Sequence, residues 1–76
     1  MNADEVREWL RRAPFLPFRL KLSNGDSYDI FHPEFLLLGK NRAVVYNDTE
    51  DKFAFVSLVH INNIETLETV GQPDSR

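Results

Sequence analysis

The chain has no cysteine. That excludes disulfide staples, a thiol nucleophile and any thiolate metal site. Glycine occurs three times and proline four times in 76 residues, too rarely for a collagen-like or low-complexity chain. Charge of one sign is scarce as well. Nine Lys and Arg stand against twelve Asp and Glu, a net of −3 with both histidines neutral. The strong positive field of a duplex-DNA binder is therefore missing. Long apolar runs are absent: residues 35–38 and 53–56 are about four residues each, far below a membrane span. Residues 1–8 are polar and acidic, unlike the basic start of a signal peptide. The expectation is a cytoplasmic protein with no membrane contact.

What is present suffices for a small core. Hydrophobic residues make up 42% of the chain and include six Phe, two Tyr and one Trp. One domain over residues 1–70 with a flexible tail at 71–76 is expected. A domain this small, without staples, is often marginal alone, and association with a second copy is one remedy.

The first element reads as a helix over residues 3–13. Asn2 can cap it, with Glu5 answering as the second half of a capping box. Val6, Trp9, Leu10 and Ala13 recur at i, i+3, i+4 and i+7, one apolar stripe. Pro14 stops the helix. So short a helix is stable only when docked, which places Trp9 in the core.

Strands follow. Phe18, Leu20 and Leu22 alternate with Arg19, Lys21 and Ser23, a half-buried strand with its bases facing water. Asn24-Gly25 is a hairpin turn signal, and Tyr28 and Ile30 then return inward. Across that hairpin Arg19 or Lys21 can meet Asp29 or Asp26. The expected strands lie at about 17–23, 27–31, 35–38 or 42–46, 53–58 and 64–68, with one tight turn between the last two. The fold class is α+β, mainly β: a short amphipathic helix, then a strongly curled five-stranded antiparallel sheet or a small barrel.

Residues 15–68 resemble a group of short uncharacterised bacterial proteins. The resemblance rests on Pro17-Phe18 through Leu22, on Gly25, on His32-Pro33, and on His60-Ile61 with Ile64. That group carries no established activity, so it implies no catalytic residue. More distantly, a helix leading into five strands with a turn before the last resembles the Sm-like RNA-binding fold, an SH3-like small barrel that assembles into rings. Asn24-Gly25 stands where that family's first strand ends, and His60 near its late histidine. Leu58 and Val59 precede His60 in place of Tyr-Lys, and His32-Pro33-Glu34 stands in place of Asp-x-x-Asn. The resemblance implies a barrel and, through a ring, single-stranded RNA.

Chemistry-bearing constellations are few. His32 and His60, with Asp29 and Glu34, could ligate a metal only if separate strands converged. Local hydrogen bonding is the ordinary role of such histidines, and no metal or cofactor is expected. No nucleophile elbow, metal triad or phosphate loop occurs, and the expectation is a non-enzymatic protein. The aromatics are expected mostly inward. The candidate interaction surface comprises Trp9, Arg19, Lys21, His32, Arg42, Tyr46 and His60. Trp9 is a candidate anchor, and Arg19, Lys21 and Arg42 a candidate basic patch beside Tyr46. Residues 43–46 and 53–58 carry no charge, so either strand would be a hazard as an exposed edge; the alternative is that both are central and the helix covers the rest. The leading expectation is an interaction or oligomerisation module in which strand edges pair between copies, or with another protein. A ring that binds RNA comes second.

Overall fold

The computed structural model describes residues 1–67. The expected tail at 71–76 and the last residue of the strand expected at 64–68 lie outside them.

Helix α1 spans Ala3–Leu10. Its capping box is formed: the Asn2 side chain accepts the Glu5 N–H at 2.9 Å, and the Glu5 carboxylate accepts the Asn2 N–H at 3.1 Å. The last bond runs from the Arg11 N–H to the Arg7 carbonyl at 3.0 Å. The helix stops short of residue 13 for a physical reason. A further turn would need an N–H at position 14 to reach the Leu10 carbonyl, and Pro14 has none.

Strands β1 (Phe18–Leu22) and β2 (Ser27–Ile30) form the hairpin announced by Asn24-Gly25. Gly25 has φ of 96°, which L side chains rarely adopt. The Asn24 side chain accepts the Asp26 N–H at 2.9 Å and fixes the turn. A 3₁₀ turn over Pro33–Phe35 leads to β3 (Leu36–Leu38), β4 (Arg42–Asn47) and β5 (Lys52–Ser57). A second 3₁₀ turn over Leu58–His60 leads to β6 (Ile61–Thr66).

These strands form two separate three-stranded antiparallel sheets, ordered β2-β1-β6 and β3-β4-β5. The expected five-stranded curled sheet or small Sm/SH3-like barrel is thereby overturned. Two local causes account for the difference. His32-Pro33-Glu34 is not a bend within a continuing strand. Pro33 has a fixed φ and no N–H, the chain winds into a 3₁₀ turn, and it leaves the first sheet altogether. Residues 35–38 and 42–46 were alternatives for one strand, yet both places hold strands, joined by a turn in which the Gly39 N–H bonds the Arg42 carbonyl at 2.7 Å. The extra strand completes a second sheet. β6 then returns to the free side of β1, pairing Leu20 with Ile64.

Both sheets contribute alternate residues to one core. Phe18, Leu20 and Ile30 come from the first; Leu36, Ala43, Val45 and Val56 from the second. Val6 of α1, Leu58 and Ile61 close it. Phe18 is fully buried, with the rings of Trp9 and Phe15 at 5.5 and 5.8 Å. Burying such a side chain contributes about 2–3 kcal/mol. Trp9 itself is only half-buried.

Candidate interaction surface

The inward alternation of the second sheet fixes what its other face carries. With Leu36, Ala43, Val45 and Val56 turned into the core, Leu37, Val44, Phe53 and Phe55 turn away from it. Leu37 is 72% exposed, Phe53 66% and Phe55 79%. The strand register sets them in rows. Leu37, Val44 and Phe55 lie opposite one another across β3, β4 and β5. Tyr46 lies opposite Phe53 with ring centroids 5.0 Å apart. Phe35 meets Tyr46 edge-on at 5.4 Å, and His32 meets Phe35 at 4.9 Å. Each such aromatic pair stabilises by about 0.5–1.5 kcal/mol. The expectation that aromatics mostly face inward is corrected here: Phe31, Phe53 and Phe55 are at least half exposed. The sheet has only three strands, and its core partners already occupy the opposite face.

The edge of β5 is also open. The Leu58 N–H bonds the Asn41 carbonyl at 3.0 Å. Partners in an antiparallel ladder alternate between bonded and non-bonded pairs. The backbone groups of Ala54 and Val56 therefore point at β4, and those of Phe53, Phe55 and Ser57 point away. Among the described residues no backbone bond from another element reaches them. A cleft of about 500 Å³ runs alongside, lined by Phe55 and Ser57 on one wall and by Ser23, Asp26 and Tyr28 of the hairpin on the other. β4, by contrast, is central, so its uncharged stretch is no edge.

The first sheet presents a different exterior. Arg19 donates to both Asp29 oxygens at 2.7 and 3.2 Å, directly across the β1–β2 pair. Asp29 raises the Arg19 pKa, through the hydrogen bond first and its charge second. Lys21 lies 3.5 Å from Glu65 of β6. The edge strands β2 and β6 carry exposed Ser27, Asp29, Asn62, Asn63 and Glu65.

The residues singled out from the sequence are thus divided. His32, Arg42 and Tyr46 share the outer side of the second sheet, where Arg42 pairs with Ser57. Arg19 and Lys21 lie on the first sheet, each beside a carboxylate, while Arg42 lies on the second. Trp9 packs on Phe18 and carries the Arg12 guanidinium 4.0 Å above its ring. His60 ends the second 3₁₀ turn, its carbonyl accepting from the Ser23 N–H at 2.8 Å. Phe53 and Phe55 fall in the uncharged 53–58 strand expected as a candidate edge; their exposed rings, and Leu37 beside them, are what the structure adds.

A second groove, of about 420 Å³, opens between β2 and the turn after β4. Among the described residues no cluster of His, Asp and Glu is placed to hold a metal ion. No helix there is long and apolar enough to cross a membrane. No protein-family model, curated protein or solved structure matches the chain.

Proposed function

We propose that this chain is a small interaction module that associates with a second copy of itself along the edge of β5. The observation that carries the reading is the open, uncharged edge at Phe53–Ser57, flanked by the exposed rings of Phe53 and Phe55. Exposed edges are ordinarily blunted by lysine, proline or a bulge. Lys52 stands only at the start of this strand, and its register with β4 runs unbroken.

Antiparallel self-pairing is satisfied by a two-fold axis, since each copy offers the same groups to the other. The outward backbone groups of Phe53, Phe55 and Ser57 define the register. Phe55 sits on the axis opposite its own copy, and Phe53 opposes the partner's Ser57. The row Leu37–Val44–Phe55 then continues into its mirror row across the axis. The cleft beside Phe55 and Ser57 leaves space for the added strand. The edge is short, which puts the interface at the low end for specific association, so the dimer is concentration-dependent.

The cysteine-free chain makes the test clean. In a bonded antiparallel pair the two residue-55 Cα atoms lie about 5.5 Å apart, within disulfide reach. Light scattering at two concentrations is expected to find a rising dimer fraction. Phe55→Cys is expected to cross-link under mild oxidation, and Ser57→Cys alone is not. A mixture of Phe53→Cys and Ser57→Cys chains is expected to cross-link to each other. A monomer mass at millimolar concentration overturns the reading. A dimer that cross-links through residue 57 and not 55 overturns the register.

A further inference from the structure

The groove between β2 and the turn after β4 combines two features that favour one kind of ligand. Its walls are aromatic: Tyr28, Phe31, Phe35 and Tyr46. Its remaining charged lining is acidic: Asp29, Asp48 and Glu50, with no lysine or arginine among the lining residues. We propose that this groove takes an arginine side chain presented by a basic segment of a partner protein.

Ring faces attract a cation through their quadrupole, and a planar guanidinium stacks on them while its donors reach carboxylates at the rim. The three carboxylates are not equally free. Asp29 is held by Arg19 at 2.7 Å, and Glu50 lies 3.7 Å from Lys52. Asp48 has no ion pair among the described residues. The Tyr46 phenol is pushed above its ordinary pKa first by its bond to Asp51, then by desolvation, and last by the charges of Asp51 and Asp48.

The molecule already contains the same pairing in another place, where Arg12 lies 4.0 Å over the Trp9 ring. That site is filled from within the chain; the groove has aromatic walls with no lysine or arginine among its lining residues, and Asp48 is its carboxylate without an ion pair among the described residues. A metal ion fits less well. Among the described residues no group of His, Asp and Glu is placed to hold one. Phe31, half exposed at 50%, offers a ring that a bound guanidinium would cover.

The test is an NMR titration of the intact chain with tetra-arginine, with tetra-glutamate as the control. Ring resonances of Tyr28, Phe31 and Tyr46 are expected to shift with tetra-arginine and stay still with tetra-glutamate. The Asp48→Asn, Glu50→Gln double variant alters two exposed turn residues, and its amide spectrum reports whether the fold is kept. It is expected to bind tetra-arginine at least about fivefold more weakly. Phe31→Ser is expected to weaken binding about threefold without changing the charge. Three results overturn the proposal. One is unchanged affinity in both variants. Another is an equal response around Asp4, Glu5 and Glu8 on α1, which is diffuse charge attraction. The third is no ring shift at millimolar peptide. Tyr28 also lines the cleft beside β5 and Tyr46 packs on Phe53, so the titration is made at a protein concentration where light scattering finds a single chain, and Phe31 is the ring that reports the groove alone.

Discussion

The two sheets are built alike on the inside and differently on the outside. Each has three antiparallel strands, and each sends alternate apolar residues into the shared core. On the first sheet the other face is charged and compensated, with Arg19 against Asp29 and Lys21 near Glu65. On the second it is apolar and uncompensated, with Leu37, Phe53 and Phe55 largely in water. Inward residues are dictated by packing, so they say little about purpose. Outward residues are not dictated by core packing, and large apolar ones in a cluster mark a contact surface. The first sheet is thus a finished surface and the second an unfinished one.

Matched substitutions test this contrast most severely. Phe18→Ala removes a fully buried ring and is expected to cost about 3–5 kcal/mol, much of the stability of so small a domain. Phe55→Ala removes a ring that is 79% exposed and is expected to change stability by less than about 0.5 kcal/mol. Urea midpoints measured at low protein concentration give both numbers without contribution from self-association. A cost at Phe55 comparable to that at Phe18 would mean that the outer face is covered even in a single chain, and the contrast would fail.

The part of the fold legible in the sequence is the part governed by local chemistry. Asn2 and Glu5 form a capping box because the first amides have no partner within the helix and a three-residue spacing brings each side chain to the other's N–H. Asn24-Gly25 turns because Gly25 tolerates a positive φ. Arg19 meets Asp29 because the hairpin register places them opposite. What was not legible depends on partners distant in sequence. No pattern near Pro33 tells whether the chain bends within one sheet or leaves it. Nor does β5 reveal which of its faces is covered, since Phe53, Ala54, Phe55 and Val56 are all apolar. The uncharged edge at 53–58 was legible, but the residues of its outer face were not: of the candidate residues, His32, Arg42 and Tyr46 lie on the second sheet's outer side.

The finished surface predicts a smaller effect. Arg19 and Asp29 make a two-pronged contact, yet their side chains are 39% and 33% exposed, so solvent screens much of it. A double-mutant cycle with Arg19→Ala and Asp29→Ala is expected to give a coupling of about 0.5–1 kcal/mol, falling as salt is added. A coupling near zero in low salt would make the first sheet's exterior merely polar, and the difference between the sheets would then rest on the aromatic rows alone.

The smallest effect lies on the second sheet, at Tyr46. Its hydroxyl donates to Asp51 at 3.0 Å. Ionising the phenol would break that bond and set two negative charges side by side, so the folded state holds the proton above the ordinary 10.0. The sign follows from linkage. Below 10.0 both states keep the proton and the contribution is intact. As pH rises past 10.0 the unfolded chain releases its proton first, so stability falls until the folded phenol has titrated as well. Ultraviolet titration of the folded chain should place Tyr46 above its ordinary range, and Asp51→Asn should lower it and flatten the alkaline loss. If Asp51→Asn leaves the titration unchanged, the bond does not persist in water. The ring would then be held only by Phe35 and Phe53, its neighbours in the aromatic row.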